Sequence, residues 1–96
     1  MMAPNSQEVL ESEQQSQFKL IPNPASSVFQ LSDVLNSDEN YAVQNLAIIN
    51  ANGATVFQRA EYQLNQTIDL SNQAPGLYLV RFLNGDKPYT LTLILL

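Results

Sequence analysis

From Phe18 onward, apolar and polar side chains alternate with a period of two, and Gly, Pro, Asn and Asp interrupt the alternation every eight to twelve positions or so. A strand turns successive side chains to opposite faces, whereas a helix repeats every 3.6 residues, so the pattern demands strands and leaves no helical stripe to compete. Short strands punctuated at this spacing mark antiparallel sandwiches and barrels. The expected strands are 18–21, 27–31, 41–49, 54–59, 66–70, 77–83 and 88–95.

The breaks between them have distinct mechanisms. Pro22-Asn23-Pro24 fixes φ at two positions and biases Ile21 and Asn23 to extended backbone, which predicts a rigid corner after the first strand. Asn50-Ala51-Asn52-Gly53 fits a type I turn closed by a bulge, with Gly53 in the left-handed region. Asn84-Gly85, between two apolar runs, predicts a tight primed turn that pairs the last two strands.

In the penultimate strand Tyr78, Val80 and Phe82 share one face, while Leu77, Leu79, Arg81 and Leu83 share the other. A strand apolar on both faces belongs inside a sheet, with Arg81 reaching the rim or a carboxylate such as Asp69. In the last strand Tyr89, Leu91, Leu93 and Leu95 oppose Thr90, Thr92, Ile94 and Leu96. The threonines assign their face to water, so Ile94 and Leu96 are expected to point outward as well. That anomaly suggests either a core that widens at this end or a docking surface. Docking could proceed by strand addition along an open edge or by capture of the last residues. The window 91–96 is β-prone, uncharged and free of Pro, an aggregation hazard wherever its edge is bare.

Composition changes sharply near residue 17. Upstream, Gln, Glu, Ser, Asn and Pro dominate, and Val9 and Leu10 are the only sizeable apolar groups after Met2. Residues 1–17 are therefore expected to form a polar linker, and 18–96 one small domain. The 96-residue chain is 45% apolar and 14% charged, enough for a single core with stability of roughly 4–10 kcal/mol.

The same inventory excludes several functions. With a formal charge of −5 and only Lys19, Arg59, Arg81 and Lys87 as cations, the chain is ill suited to neutralise a phosphate backbone, so nucleic acid is not an expected partner. Without His or Cys there is no base to activate Ser26, Ser27 or Ser71, and no thiolate metal site. Without Trp, a carboxylate pair would lack the usual sugar-binding wall. Asp33, Asp38 and Glu39 could supply oxygen ligands to calcium, but their spacing matches no EF-hand, and a solvated acidic loop is the preferred reading. Gly53, Gly76 and Gly85 are isolated turn glycines rather than a phosphate loop. No enzyme activity, cofactor or metal is expected. Residues 1–7 show neither a basic n-region nor an apolar h-region, so the chain either stays inside or is part of a longer exported protein.

In order along the chain, Phe18-Lys19-Leu20-Ile21-Pro22-Asn23-Pro24-Ala25-Ser26, Ile48-Ile49-Asn50-Ala51-Asn52-Gly53, Ile68-Asp69-Leu70-Ser71 with Pro75-Gly76-Leu77-Tyr78-Leu79-Val80, and Leu83-Asn84-Gly85-Asp86-Lys87 resemble the successive blocks of a family. The chain is similar over 18–96 to the C-terminal sorting domain of the type IX secretion system of Bacteroidota. The resemblance implies a seven-stranded, immunoglobulin-like antiparallel β-sandwich that serves as a non-catalytic address for a cargo domain N-terminal to it. It further implies transit through the periplasm, recognition by the outer-membrane translocon, shuttle and surface sortase components, and a cell-surface or extracellular destination. Residues 1–17 would be the cleavage region. Pro24, Gly76, Tyr78 and Gly85 match the family's motif residues, Lys87 lies in its closing hairpin, and Ile94, Leu95 and Leu96 lie in its terminal recognition strand. The segment 90–96 departs from the family in having no Lys or Arg, which shifts the expected recognition toward apolar or carboxylate-centred docking. A weak homodimer through an open edge strand is a further expectation. The alternative function is an immunoglobulin-like accessory or adhesion module that binds glycan or protein, with Tyr41, Tyr62 and Phe57 as its aromatic platform.

Overall fold

The computed structural model describes residues 17–36 and 40–96. Seven strands run through them: β1 (Phe18–Ile21), β2 (Val28–Asp33), β3 (Ala42–Ile49), β4 (Thr55–Gln63), β5 (Ile68–Asp69), β6 (Gly76–Asn84) and β7 (Lys87–Leu95). They form two antiparallel sheets, β1-β2-β5 and β4-β3-β6-β7, stacked face to face as an immunoglobulin-like sandwich. Between the sheets lie the inward residues of the alternating pattern, among them Leu20, Phe29, Leu31, Val43, Leu46, Ile48, Val80 and Leu93. At one end Phe18 meets Phe82 and Tyr89 edge to face at 5.0 and 4.7 Å, so an aromatic trio fastens β1 to the opposite sheet.

The turns follow their residues. Gly53 N donates to Asn50 O at 2.9 Å, Asn50 N donates to Ala54 O at 2.9 Å, and Gly53 takes φ +87°, the geometry of a type I turn with a glycine bulge. In the last hairpin Asn84 pairs with Lys87, which leaves Gly85-Asp86 as the loop. Gly85 has φ +64° and Asp86 is not in the left-handed region, so the primed turn is of the II′ kind, with glycine at its first central position.

β6 lies between β3 and β7, as its two apolar faces require. Arg81 is exposed, and no ion pair joins it to Asp69 among the described residues. Asp69 belongs to the other sheet and accepts the amide of Ser71 at 2.8 Å. Edge strands depart most from expectation. β4 extends to Gln63 because an edge strand with few buried side chains needs no strict alternation, and β5 is reduced to two residues.

The chief correction concerns β7. It is an edge strand, but its edge is not open throughout, because the corner 22–25 crosses from the first sheet and lies along its second half. Ala25 forms a parallel bridge with Leu95: Ala25 N donates to Ile94 O at 2.9 Å and Leu96 N donates to Ala25 O at 2.8 Å. The Asn23 side chain donates to Thr92 O at 2.8 Å and accepts from Ile94 N at 3.0 Å.

Candidate recognition surface

The β6–β7 hairpin decides which side chains reach solvent. Its register pairs Leu77 with Ile94, Leu79 with Thr92 and Arg81 with Thr90 on the outer face, and Tyr78 with Leu93 and Phe82 with Tyr89 on the inner one. Counting from the hydrogen-bonded pair Asn84–Lys87 makes Leu77–Ile94 a non-hydrogen-bonded pair, the kind whose side chains approach most closely. Leu77 is 48% exposed, Ile94 37% and Leu96 67%. Half-buried Leu79 also pairs with half-buried Ile49 on β3, so the apolar surface reaches one strand further into the sheet. No charged residue occurs in 49–57, 73–79 or 92–96, the three segments that build this end of the sheet. A shallow groove of about 210 Å³, lined by Asn50, Ala51, Gln73, Pro75 and Gly76, opens beside Leu77.

The opposite end has a different chemistry. Asp33 is almost fully buried and acts as a hub. Its Oδ1 accepts Leu35 N at 3.1 Å and Asn36 N at 3.0 Å, and its Oδ2 accepts Gln17 Nε2, Asn36 Nδ2 and the Tyr41 hydroxyl. Burial pushes its pKa up, but the bonds from Tyr41, Asn36 and Gln17 outweigh burial and hold it below the usual carboxylate value. Gln17 also takes a bond from Tyr89 Oη at 3.3 Å, and its carbonyl accepts Val34 N at 2.8 Å, so the boundary residue of the expected linker is tied to the sandwich. The rest of that linker, 1–16, and Asp38 and Glu39 of the acidic loop lie outside the described residues. Acids and bases balance within the described residues, so the formal −5 resides in Glu8, Glu11, Glu13, Asp38 and Glu39. Gln17 and Asn36, which border those segments, meet at Asp33. Among the described residues, no group of three acidic, His or Cys side chains could hold a metal.

The structure divides the sequence-selected residues. Pro24, Gly76, Tyr78, Ile94, Leu95 and Leu96 gather at the uncharged end. Gly85 and Lys87 lie at the other, where the Lys87 ammonium stands 5.9 Å from the Tyr89 ring centroid. Several have evident architectural work. Gly76 opens β6 at φ +149°, where an added Cβ would meet nothing within 4 Å, so the requirement is one of backbone conformation. Tyr78 is buried and its hydroxyl donates to Ala74 O at 2.5 Å, which ties the approach loop to the core. Leu95 is 3% exposed and faces inward, leaving Ile94 and Leu96 as the accessible side chains of the final residues.

Leu77, Leu79 and Asn23 were not singled out by sequence. The leucines had a signal in the double apolar face of β6, but centrality in the sheet explained it equally well. Asn23 had none beyond its place in the corner. The aromatic platform of the adhesion alternative does not form. Tyr62 is 0% exposed, donates to Gln66 O and accepts Leu31 N, while Tyr41 and Phe57 are half-buried on separate strands or loops. Burial also raises the Tyr62 pKa, against smaller lowering effects from its bond to Leu31, Arg59 and its bond to Gln66.

The model of a family described as the secretion system C-terminal sorting domain matches residues 19–95. No individual curated protein matches the chain. Domains of this family are generally non-catalytic, and the sorting signal implies association with type IX secretion machinery and an attached cargo, and export to the cell surface or extracellular space. With the match spanning all but the outermost residues of a seven-stranded sandwich, the chain belongs to the secretion system C-terminal sorting domain family and carries a type IX sorting signal.

Proposed function

We propose that this domain is read as a folded unit by its uncharged end. A cargo N-terminal to it crosses the periplasm, the outer-membrane translocon and shuttle recognise the domain, and a surface sortase cuts within 1–17, leaving the product at the cell surface or in the medium. Residues 18–96 form the address. The observation that carries this reading is the exposed apolar surface formed by Leu77, Ile94 and Leu96 in a region without charged side chains. Contact there is apolar, in keeping with the absence of Lys and Arg from 90–96. Pro24, Gly76 and Tyr78 support the surface from behind, and Leu95 anchors its strand. Gly85 and Lys87 act through the far hairpin, by fixing the register that sets Ile94 opposite Leu77.

The test fuses residues 1–96 to a reporter bearing its own periplasmic export signal, in a host with a working type IX system. The unaltered fusion should reach the surface or medium. Ile94→Thr with Leu96→Ser should leave most of it in the periplasm while the urea midpoint of the isolated domain stays the same. Val28→Ser, an exposed apolar change on the other sheet, should have no effect on export. A reporter that stays inside with the unaltered domain sinks the sorting role, whereas full export of the double variant sinks only the proposed contact.

A further inference from the structure

The corner does for the β7 edge what a neighbouring strand would do. In a parallel pairing, one residue donates its N–H to one carbonyl of the facing strand and accepts from the amide two residues further on. Ala25 does this around Leu95, bonding Ile94 O and Leu96 N. The Asn23 carboxamide repeats the pattern one rung earlier, around Leu93: its Nδ2 bonds Thr92 O and its Oδ1 bonds Ile94 N. A side-chain amide thus stands in for a peptide group. The hairpin register turns the polar backbone of residues 88, 90, 92, 94 and 96 away from β6. Pro88 has no N–H to offer, and the corner fills Thr92 O, both groups of Ile94 and Leu96 N. Among the described residues, Pro88 O, both groups of Thr90 and Thr92 N have no partner.

We infer that Asn23 and Ala25 form an intramolecular strap that keeps β7 from pairing with β7 of a second copy. The occupant that the strap excludes follows from the segment itself. An edge strand is ordinarily guarded by a charge, a proline or a covering element. Beyond Pro88 this one has no charge and no further proline, so the strap is its guard. The strand is also self-complementary, because two identical strands related by a two-fold axis pair antiparallel through the same groups on both sides. Such pairing would bring together the uncharged windows 91–96 and extend across Ile94 and Leu96, which are already exposed. The strap therefore separates two properties of the second half of β7: its outward side chains stay available to a partner while most of its hydrogen-bonding edge does not. This inference does not depend on what binds Ile94 and Leu96.

Three measurements on the full 96-residue chain test it. Amide hydrogen exchange of the unaltered protein should be at least ~10-fold slower at Ile94 and Leu96 than at Thr90 and Thr92, the factor that about 1.4 kcal/mol of opening free energy produces. Asn23→Ala should abolish the difference at Ile94 and convert a monomer in light-scattering chromatography into a concentration-dependent dimer. Adding Thr92→Lys to that variant should restore the monomer, because the new ammonium groups would lie near one another in the paired edge. Equal exchange at the four amides in the unaltered protein overturns the inference even if Asn23→Ala fails to fold. So does a folded Asn23→Ala variant that remains monomeric, or a dimer that Thr92→Lys leaves intact.

Discussion

Replacing Asp33 with Asn tests whether a buried carboxylate fastens the end of the sandwich where residue 17 enters. The carboxylate accepts the amides of Leu35 and Asn36 on one oxygen, and Gln17, the Asn36 side chain and Tyr41 on the other. Asparagine retains one acceptor oxygen, enough for the two backbone amides, but those bonds pass from charge-assisted to neutral and lose about 1 kcal/mol each. Its new NH₂ then faces donors. The two amide side chains can flip and the Tyr41 hydroxyl can turn to accept, which limits the further loss to about 1 kcal/mol. The expected destabilisation is about 2–3 kcal/mol at pH 7, or roughly 10–20 °C in Tm for a domain of this size. Because the folded-state pKa of Asp33 is depressed, its stabilisation is fully present above the unfolded value of about 3.9 and is lost as pH falls through the folded value. Urea unfolding of both proteins from pH 7 to pH 2.5 should show two curves that converge in acid. A difference below about 0.5 kcal/mol at pH 7, or one of constant size at every pH, would refute the hub argument.

Two further changes probe the frame that positions the proposed recognition surface. Gly85→Val places a β-branched residue at φ +64° and should cost roughly 1–3 kcal/mol in urea unfolding, with increased exchange of the β6–β7 amides nearest the turn. Tyr62→Phe removes the partner of the buried Leu31 amide and should destabilise by about 1–3 kcal/mol while leaving export of a folded fusion intact, since Tyr62 is wholly enclosed.

The sequence was most legible where a local rule acts alone. The type I turn at 50–53, the primed turn at Gly85 and the inward face of β7 each follow from a few adjacent residues, and the structure has all three. Legibility fell where a residue's role depends on its neighbours across space. The 77, 79, 81, 83 face of β6 was apolar in sequence, but only its pairing with Ile94 and Thr92 shows that its Leu77 end forms the exposed surface. Arg81 and Asp69 have opposite charges, yet they belong to different sheets. Asn23 was hidden for a stronger reason. Its side chain bonds residues 69 and 71 positions away, and no periodicity or turn rule extends that far.

That long-range contact also changes how the hazard in 91–96 is assessed. Aggregation through a strand requires both sticky side chains and unsatisfied backbone, and the two are separable here. Leu93 and Leu95 are spent in the core, Leu91 packs against it, and the corner occupies the backbone of Thr92 O, Ile94 and Leu96 N, so the apparent six-residue liability shrinks to the side chains of Ile94 and Leu96 and the Thr92 amide. If the domain is read through Ile94 and Leu96, as proposed, this division leaves those side chains exposed while the backbone beside them is already paired. The PNPA corner that looks in sequence like a simple change of direction supplies it, because the chain turning there is also the chain that closes the edge.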